Sequence, residues 1–91
     1  MANQPQDSAD RGQCRVKIRN SEDISGARRA IQNLAETLGF DSCRNAEIGL
    51  VVTELANNIL RHAGGGSISG AELAQAGETG LQIEAEDYGP G

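Results

Sequence analysis

The sequence predicts an α+β fold in which two helices pack on one face of a mostly antiparallel sheet, in the order strand, helix, helix, strand, strand. Three observations predict it. Residues 14–18 and 81–87 alternate apolar with polar side chains, the spacing of strands with one buried face. Residues 21–39 and 41–64 repeat apolar side chains every three or four positions, as amphipathic helices do. A chain of 91 residues has room for one such two-layer domain.

The first predicted strand, CRVKIRN, follows the polar and aperiodic residues 1–13, which we expect to be a flexible tail. The single domain then spans residues 14–91. The strand places opposite chemistry on its two faces, with apolar Cys14, Val16 and Ile18 against basic Arg15, Lys17 and Arg19. We expect the basic stripe on the solvent side of an outer strand, and docking of an acidic partner there is the alternative.

The first predicted helix lies within SEDISGARRAIQNLAETLGF. Ser21 is the expected N-cap, and the acids Glu22 and Asp23 follow in the first turn, where the helix dipole favours negative charge. Gly39 supplies the C-terminal stop. The stripe that faces the core comprises Ile24, Ala27, Ile31, Leu34, Ala35 and Leu38.

The second predicted helix begins near Asp41 or Ser42, runs to about Ala63 and ends at the glycines 64–66. We interpret the glycine run as a flexible stop, because phosphate-binding loops precede a helix and this run follows one. The apolar centre of the helix comprises Ile48, Val52, Leu55 and Ile59, with Val51 at its border.

A row of polar side chains runs beside that apolar centre. It comprises Glu47, Glu54, Asn58 and His62. Because this row flanks the buried stripe rather than opposing it, we expect its side chains at the rim of the core and not in open solvent. The sequence therefore predicts a pocket along this side of the helix.

Two strands are predicted after the glycines. SISGAELAQ is a weak candidate, AGET reads as a turn, and LQIEAED is a stronger strand. In the last strand, Asp87 falls on the same face as Leu81, Ile83 and Ala85. A carboxylate in line with core residues needs a partner or a cavity, since burying an unpaired charge is costly.

These polar residues have the chemistry needed to bind a nucleoside triphosphate that carries a metal ion. Mg²⁺ takes oxygen ligands, usually one or two from protein, so the Asn58 amide oxygen is a candidate ligand. Glu54 lies one helical turn earlier and is placed to accept a proton from an attacking hydroxyl or water. The Asp87 carboxylate can accept a hydrogen bond from the exocyclic amino group of adenine.

At these residues the chain resembles a known superfamily. Glu54-Leu55-Ala56-Asn57-Asn58 resembles the N box, and Asp87-Tyr88-Gly89-Pro90-Gly91 the first glycine box, of the GHKL ATPases. Within that superfamily, the small size and the phrase TELANNILRHAGGGSI are most similar to the RsbT-type switch kinases. The resemblance covers residues 14–91 and implies a two-layer α/β sandwich of the Bergerat type, with ATP between helices and sheet.

The resemblance also implies roles for individual residues. Glu54 matches the general base, Asn58 the magnesium ligand, and Asp87 the aspartate that reads adenine. The glycines beside the base match Gly89 and Gly91. His62 matches a position near the phosphates or the sugar, although it is equally suited to capping carbonyls at the helix end. Asn57 matches no functional position. The cofactors that the resemblance implies are ATP and Mg²⁺.

The implied function is that of an ATP-dependent protein-serine/threonine kinase in a bacterial partner-switching stress-signalling pathway. Its implied partners are a STAS-domain protein, of the scaffold or anti-anti-sigma type, and a downstream phosphatase. One alternative is an anti-sigma factor kinase that sequesters a sigma factor. A second, of another class, is a non-catalytic interaction module derived from the same fold.

The resemblance also implies further parts that the 91 residues do not contain. Family members continue past the first glycine box with a mobile lid, a second glycine-rich box and more strands. We therefore expect an incomplete sandwich, and weak or absent ATP binding by this chain alone. Because missing strands would expose a sheet edge, pairing of two chains in a homodimer stays open.

Composition excludes several other functions. The net charge is -5 and no basic run occurs, so no nucleic-acid partner is expected. No stretch has the roughly 18 apolar residues of a membrane span, and the N-terminus lacks an apolar signal-peptide segment, so we expect a cytoplasmic protein without a membrane partner. Cys14 and Cys43 are isolated and are expected to be free thiols.

Overall fold

A computed structural model describes residues 12–88 of the chain. The elements follow in the order β1 (Gln13–Ile18), α1 (Glu22–Thr37), α2 (Ser42–Ala63), β2 (Gly66–Gln75) and β3 (Glu78–Asp87). The three described strands form one antiparallel sheet in the order β1-β2-β3. The α+β class, the element order and the antiparallel sheet are therefore confirmed.

The ends of the described region bear on two predictions. Gln13 already belongs to β1, one residue before the predicted start of the domain, and the remainder of the predicted tail lies outside the described residues except for Gly12. Gly89 and Gly91 also lie outside them. Within residues 12–88, no helix has the length and apolar character needed to cross a membrane.

The core lies between the helices and one face of the sheet. Its largest fully buried side chains come from β1, α1, α2 and β2, namely Ile18, Ile31, Val52 and Ile68. In α2 the predicted apolar centre is confirmed at Ile48, Val52 and Ile59. Leu55, however, is only partly buried, and Ala56 is fully buried in its place. The buried face is turned towards Gly49 and Ala56 because α1 packs on that side of the helix.

The start of α1 differs from the prediction. The Ser21 side chain makes no capping hydrogen bond. Instead the Asn20 Oδ1 accepts from the backbone N–H groups of Glu22 and Asp23, at 3.0 and 3.2 Å. The Asp23 carboxylate in turn accepts from the backbone N–H of Asn20, at 3.3 Å. Asn20 and Asp23 thus form a reciprocal capping box three residues apart, which supersedes the predicted cap at Ser21.

The other helix ends follow the sequence signals. Gly39 has a φ of 97° and its N–H donates to the Glu36 carbonyl, while the Phe40 N–H donates to the Ala35 carbonyl, both at 3.0 Å. This is the Schellman pattern that ends a helix at glycine. At the start of α2, the Asp41 side chain accepts from the Arg44 N–H at 2.8 Å. The predicted end of α2 is confirmed at Gly64, which has a φ of 78°.

The hairpin between β2 and β3 is tighter than predicted. Only Ala76 and Gly77 form the turn, with φ values of 53° and 80°. Two consecutive residues with positive φ are typical of a type I′ hairpin turn, which matches the twist of the flanking strands. Glu78 and Thr79, predicted as turn residues, therefore already pair in β3.

Candidate functional site

Helix α2 presents three of the predicted site residues on one side. Glu54, Asn58 and His62 follow one another at intervals of four residues, so their side chains leave the helix in neighbouring turns. The helix is held at both ends, by the Asp41 side chain at its start and by the left-handed Gly64 at its end. The three polar side chains therefore form a row on one side of α2, and the other side of the helix is buried in the core.

The predicted position of this row at the rim of the core is wrong. Glu54, Asn58 and His62 are all exposed, as is Glu47 earlier in the row. The border residue Val51 is itself 47% exposed. The physical reason is the orientation of α2 about its own axis. The helix places Gly49 and Ala56 on its buried side, next to α1, so the polar row faces solvent.

The side chain of Asn58 has a charged neighbour, Arg61, on the same helix. The Arg61 Nη1 lies 3.5 Å from the Asn58 Oδ1, a long and exposed contact. A hydrogen bond at that distance is weak, so it leaves the amide oxygen available to a stronger ligand. The sequence could have predicted this contact, because Asn58 and Arg61 are three positions apart on a helix and such residues are neighbours.

Strand β3 brings Asp87 towards the same region. Asp87 pairs with Gly66, and the following Tyr88 N–H donates to the Gly65 carbonyl at 2.9 Å. Leu81 and Ile83 pack on the core, so strand parity places Asp87 on the helix-facing side, as predicted. Asp87 is nevertheless exposed, and the predicted cost of burying its charge therefore does not arise.

The glycine run 64–66 lies where α2 and the end of β3 approach each other. A Cβ placed on Gly66 would lie 2.7 Å from the Asp87 Cα and 3.0 Å from the Ile59 Cγ2. Gly66 thus lies between the end of β3 and Ile59 of α2, the residue that follows Asn58 in the sequence. Gly65 and Gly66 are buried. The interpretation of the run as a flexible stop is therefore wrong for these two glycines.

The donor chemistry fits a metal ion that arrives with phosphates. Among residues 12–88 no group of three or more His, Cys, Asp or Glu side chains converges on a point that could hold a metal. Asn58 instead offers one neutral, exposed oxygen. Mg²⁺ is commonly bound by one or two protein oxygens, with phosphate and water supplying the rest of its octahedron. The site thus suits Mg²⁺ bound to a nucleotide.

A groove of about 630 Å³ lies elsewhere, on the sheet face that the helices leave open. Its lining residues are Gln13, Cys14, Arg15, Ser69, Gly70, Ala71, Gln82 and Glu84. The groove arises because small residues of β2 lie between longer side chains of β1 and β3. None of the predicted site residues lines it, and we assign the candidate site by the chemistry of α2 and β3 instead.

Comparison with known proteins identifies the family. Residues 19–91 match the profile of the histidine kinase-like ATPase domain. The chain belongs to this family. The match begins at Arg19, directly after β1, and includes α2, the glycine run and β3. The predicted membership of the GHKL superfamily is therefore confirmed, and the two-layer α+β arrangement is that of an incomplete domain of this type.

One curated relative extends the comparison. The chain is 43% identical over 76 residues to the serine/threonine-protein kinase RsbT of Bacillus subtilis (strain 168). The match covers 84% of this chain and 57% of the relative, so the chain spans little more than half of that protein's length. No solved structure matches the chain. The resemblance to RsbT-type kinases is thus confirmed as a sequence relationship.

Proposed function

We propose that this chain forms part of an ATP-dependent protein-serine/threonine kinase of the partner-switching type. The observation that carries the proposal is the meeting of α2 and β3 at Gly66. It brings the base-reading candidate Asp87 next to the helix that bears Glu54 and Asn58. The family match and the 43% identity to a serine/threonine-protein kinase support the same activity.

Each site residue has a distinct part in the proposed reaction. Asn58 would hold Mg²⁺ through its amide oxygen, and a bound ion would supply neutralisation of charge on the phosphates. Asp87 accepts a hydrogen bond from the adenine amino group, with Gly89 and Gly91 beside the base. His62, one turn beyond Asn58, contacts the phosphates or the sugar. Together these residues would hold the nucleotide beside α2, the helix that also bears Glu54.

Glu54 acts on the acceptor. Its carboxylate is exposed and takes the proton from the serine or threonine hydroxyl as that oxygen attacks the terminal phosphate of ATP, while the bond to the β-phosphate oxygen breaks and ADP leaves. Exposure is suited to this role, because the acceptor belongs to another protein and must reach the carboxylate from solvent. The proposed acceptor is a STAS-domain protein of a bacterial stress-signalling complex, and a phosphatase is the proposed partner after the switch.

The proposal is tested with Glu54→Gln in the full-length protein, with a STAS-domain protein as acceptor. Phosphoryl transfer should fall by roughly 10²–10⁴-fold, since general-base catalysis contributes about that much. Affinity for Mg²⁺-ATP, measured by calorimetry, should be unchanged, because the carboxylate acts on the acceptor and not on the nucleotide. The matched control is Glu47→Gln, on the same helix and also exposed, which should keep full activity.

Two results would contradict the proposal. Undiminished transfer by Glu54→Gln would remove Glu54 from the reaction. Absence of ATP binding and of transfer by the unaltered full-length protein, with a partner still bound, would instead favour the non-catalytic interaction module.

A further inference from the structure

Gly66 occupies the point where three elements meet. It is the first residue of β2 and pairs with Ile18 of β1 on one side and with Asp87 of β3 on the other. It is buried, and the side chain of Ile59 in α2 lies above it. The residue therefore has strands on both sides and a helix against it, with no room for a side chain towards β3 or α2.

The neighbours of Gly66 cannot easily move aside. A Cβ at this position would collide with the Glu86 carbonyl oxygen, and it would lie 2.7 Å from the Asp87 Cα. Both are backbone atoms, which a rotamer change cannot displace. Its third neighbour, the Ile59 Cγ2 at 3.0 Å, belongs to a β-branched side chain with little freedom at χ1. Any side chain at residue 66 must therefore shift the end of β3 or tilt α2.

Either shift alters the geometry of the site. Displacing β3 moves Asp87, and tilting α2 at Ile59 moves Asn58, the residue beside it. We infer that Gly66 is a positioning residue for the nucleotide: by lacking a side chain it sets the separation between the carboxylate that reads the base and the amide that holds the phosphate-bound metal. This inference rests on the proposed function, and its specific consequence is a role in selecting adenine over guanine.

Other glycines provide matched controls. Gly70 lies four residues along the same strand, and a Cβ there would lie 2.6 Å from the Ile31 Cδ1, the tip of a side chain remote from Asp87. Gly64 has open space around its Cβ position but a φ of 78°, so its replacement strains the helix end alone. Both substitutions perturb folding without pushing on the end of β3.

The test compares Gly66→Ala with Gly70→Ala and Gly64→Ala in the full-length protein. Calorimetry gives the affinities for ATP and for GTP, and amide hydrogen exchange reports the Tyr88 N–H, which donates to Gly65. Gly66→Ala should lower ATP affinity by roughly tenfold or more, since the loss of one hydrogen bond to a charged group costs about that factor. It should also reduce the ratio of ATP to GTP affinity and speed exchange at Tyr88, whereas the controls keep the ratio.

A double substitution assigns the effect to Asp87. If Gly66 acts by placing that carboxylate, Gly66→Ala should change the ratio of ATP to GTP affinity far less in an Asp87→Ala background than in the unaltered protein. Should Gly66→Ala fail to fold, Gly65→Ala serves instead. Its Cβ would lie 3.3 Å from the Ile18 carbonyl oxygen of β1. Relief of that contact shifts Gly65, whose carbonyl accepts from the Tyr88 N–H, so a small displacement beside Asp87 and a smaller loss of ATP preference are expected.

The outcomes separate the inference from the proposed function. An unchanged ratio of ATP to GTP affinity in a folded Gly66→Ala, or in Gly65→Ala if that one is used, would overturn the positioning role. A loss of selectivity of the same size in Gly70→Ala would overturn it too, because the effect would then follow general destabilisation. If the unaltered protein has no preference for ATP, the proposed function fails first and the inference fails with it.

Discussion

The two cysteines show how strongly the surroundings of a residue decide its chemistry. Cys14 lies in β1 and packs, partly buried, against the core, whereas Cys43 is exposed in the first turn of α2. Burial raises the pKa of the Cys14 thiol above its ordinary value of 9.0, and a backbone hydrogen bond at Gly70 lowers it in part. Cys14 thus behaves as the small hydrophobe that its place in the alternating strand predicts.

Alkylation rates should distinguish the two thiols. In the native protein near pH 8, Cys43 should react with iodoacetamide at least roughly tenfold faster than Cys14, because reactivity follows exposure and thiolate content. Mass spectrometry of timed samples provides the measurement, and urea should bring the two rates together. Equal rates in the native protein would contradict the packing of Cys14.

Alkaline pH should destabilise the fold through the same residue. Because the pKa of Cys14 is higher in the folded chain than in the unfolded chain, the thiol stabilises the fold below about pH 9 and loses this contribution as the pH rises through its folded pKa. Urea titrations at several pH values should show a steeper loss of stability in the unaltered protein than in Cys14→Ala. Parallel curves for the two proteins would refute this dependence.

The residues of the candidate site differ in how far sequence could place them. Helical periodicity correctly puts Glu54, Asn58 and His62 in one row, and strand parity correctly puts Asp87 on the helix-facing side. Their exposure could not be predicted, since it depends on how far α2 turns towards α1. The role of Gly66 could not be predicted either, because its neighbours come from β3 and α2 and depend on the register of distant segments.

The two helices are joined by a close contact rich in backbone groups. The Gln32 Nε2 donates to the Asn45 carbonyl at 3.0 Å, and the Asn45 Nδ2 donates to the Gln32 carbonyl at 3.1 Å. Gly49 permits this approach, since a Cβ there would collide with the Gln32 amide. The Asn45 Oδ1 is buried and has no hydrogen-bond partner among residues 12–88, so the contact gains less than a fully satisfied pair would.

Replacing Gly49 should loosen the helix pair. Gly49→Ala forces the Gln32 amide away from the Asn45 carbonyl, and we expect a loss of about 1–3 kcal/mol in the free energy of unfolding, as overpacking usually costs. Urea denaturation followed by circular dichroism measures it. The matched control is Gly26→Ala in α1, where a Cβ meets nothing within 4 Å.

Gly26→Ala should act in the opposite direction. Alanine at an unstrained helical position stabilises by about 0.5–1 kcal/mol relative to glycine. If Gly49→Ala stabilises the protein as much as Gly26→Ala does, helix propensity outweighs the contact and the close approach of the two helices is wrong.

At the scale of elements, the sequence specifies order and type better than boundaries. Apolar periodicity predicts both helices, and the glycines at their ends predict both stops. The start of α1 is not decided by sequence alone, because Asn20 and Ser21 are adjacent and both suit a cap. The extra length of β2 and β3 comes from pairing in a hairpin, where each strand extends the other beyond its own apolar pattern.

As a whole, the described molecule is a sheet with one covered and one open face. The open face carries the groove and an exposed ion pair, in which the Arg15 Nη2 lies 3.2 Å from the Glu86 Oε1. Exposed ion pairs contribute only about 0–1 kcal/mol to the free energy of unfolding. The stability of the fold therefore comes mainly from the core between the helices and the sheet. The candidate site lies where the covered side ends, and the exposed row of α2 leaves nucleotide and acceptor an approach from solvent.

The most direct test of the Mg²⁺-ATP site compares two adjacent asparagines of α2. Asn58→Ala removes the proposed metal ligand, whereas Asn57→Ala removes an amide that is also exposed and that the proposed site does not use. Calorimetry with ATP, with and without Mg²⁺, should show that Asn58→Ala in the full-length protein loses the Mg²⁺-dependent part of the affinity. Asn57→Ala should keep it. Magnesium-dependent binding that is unchanged in Asn58→Ala would contradict the site.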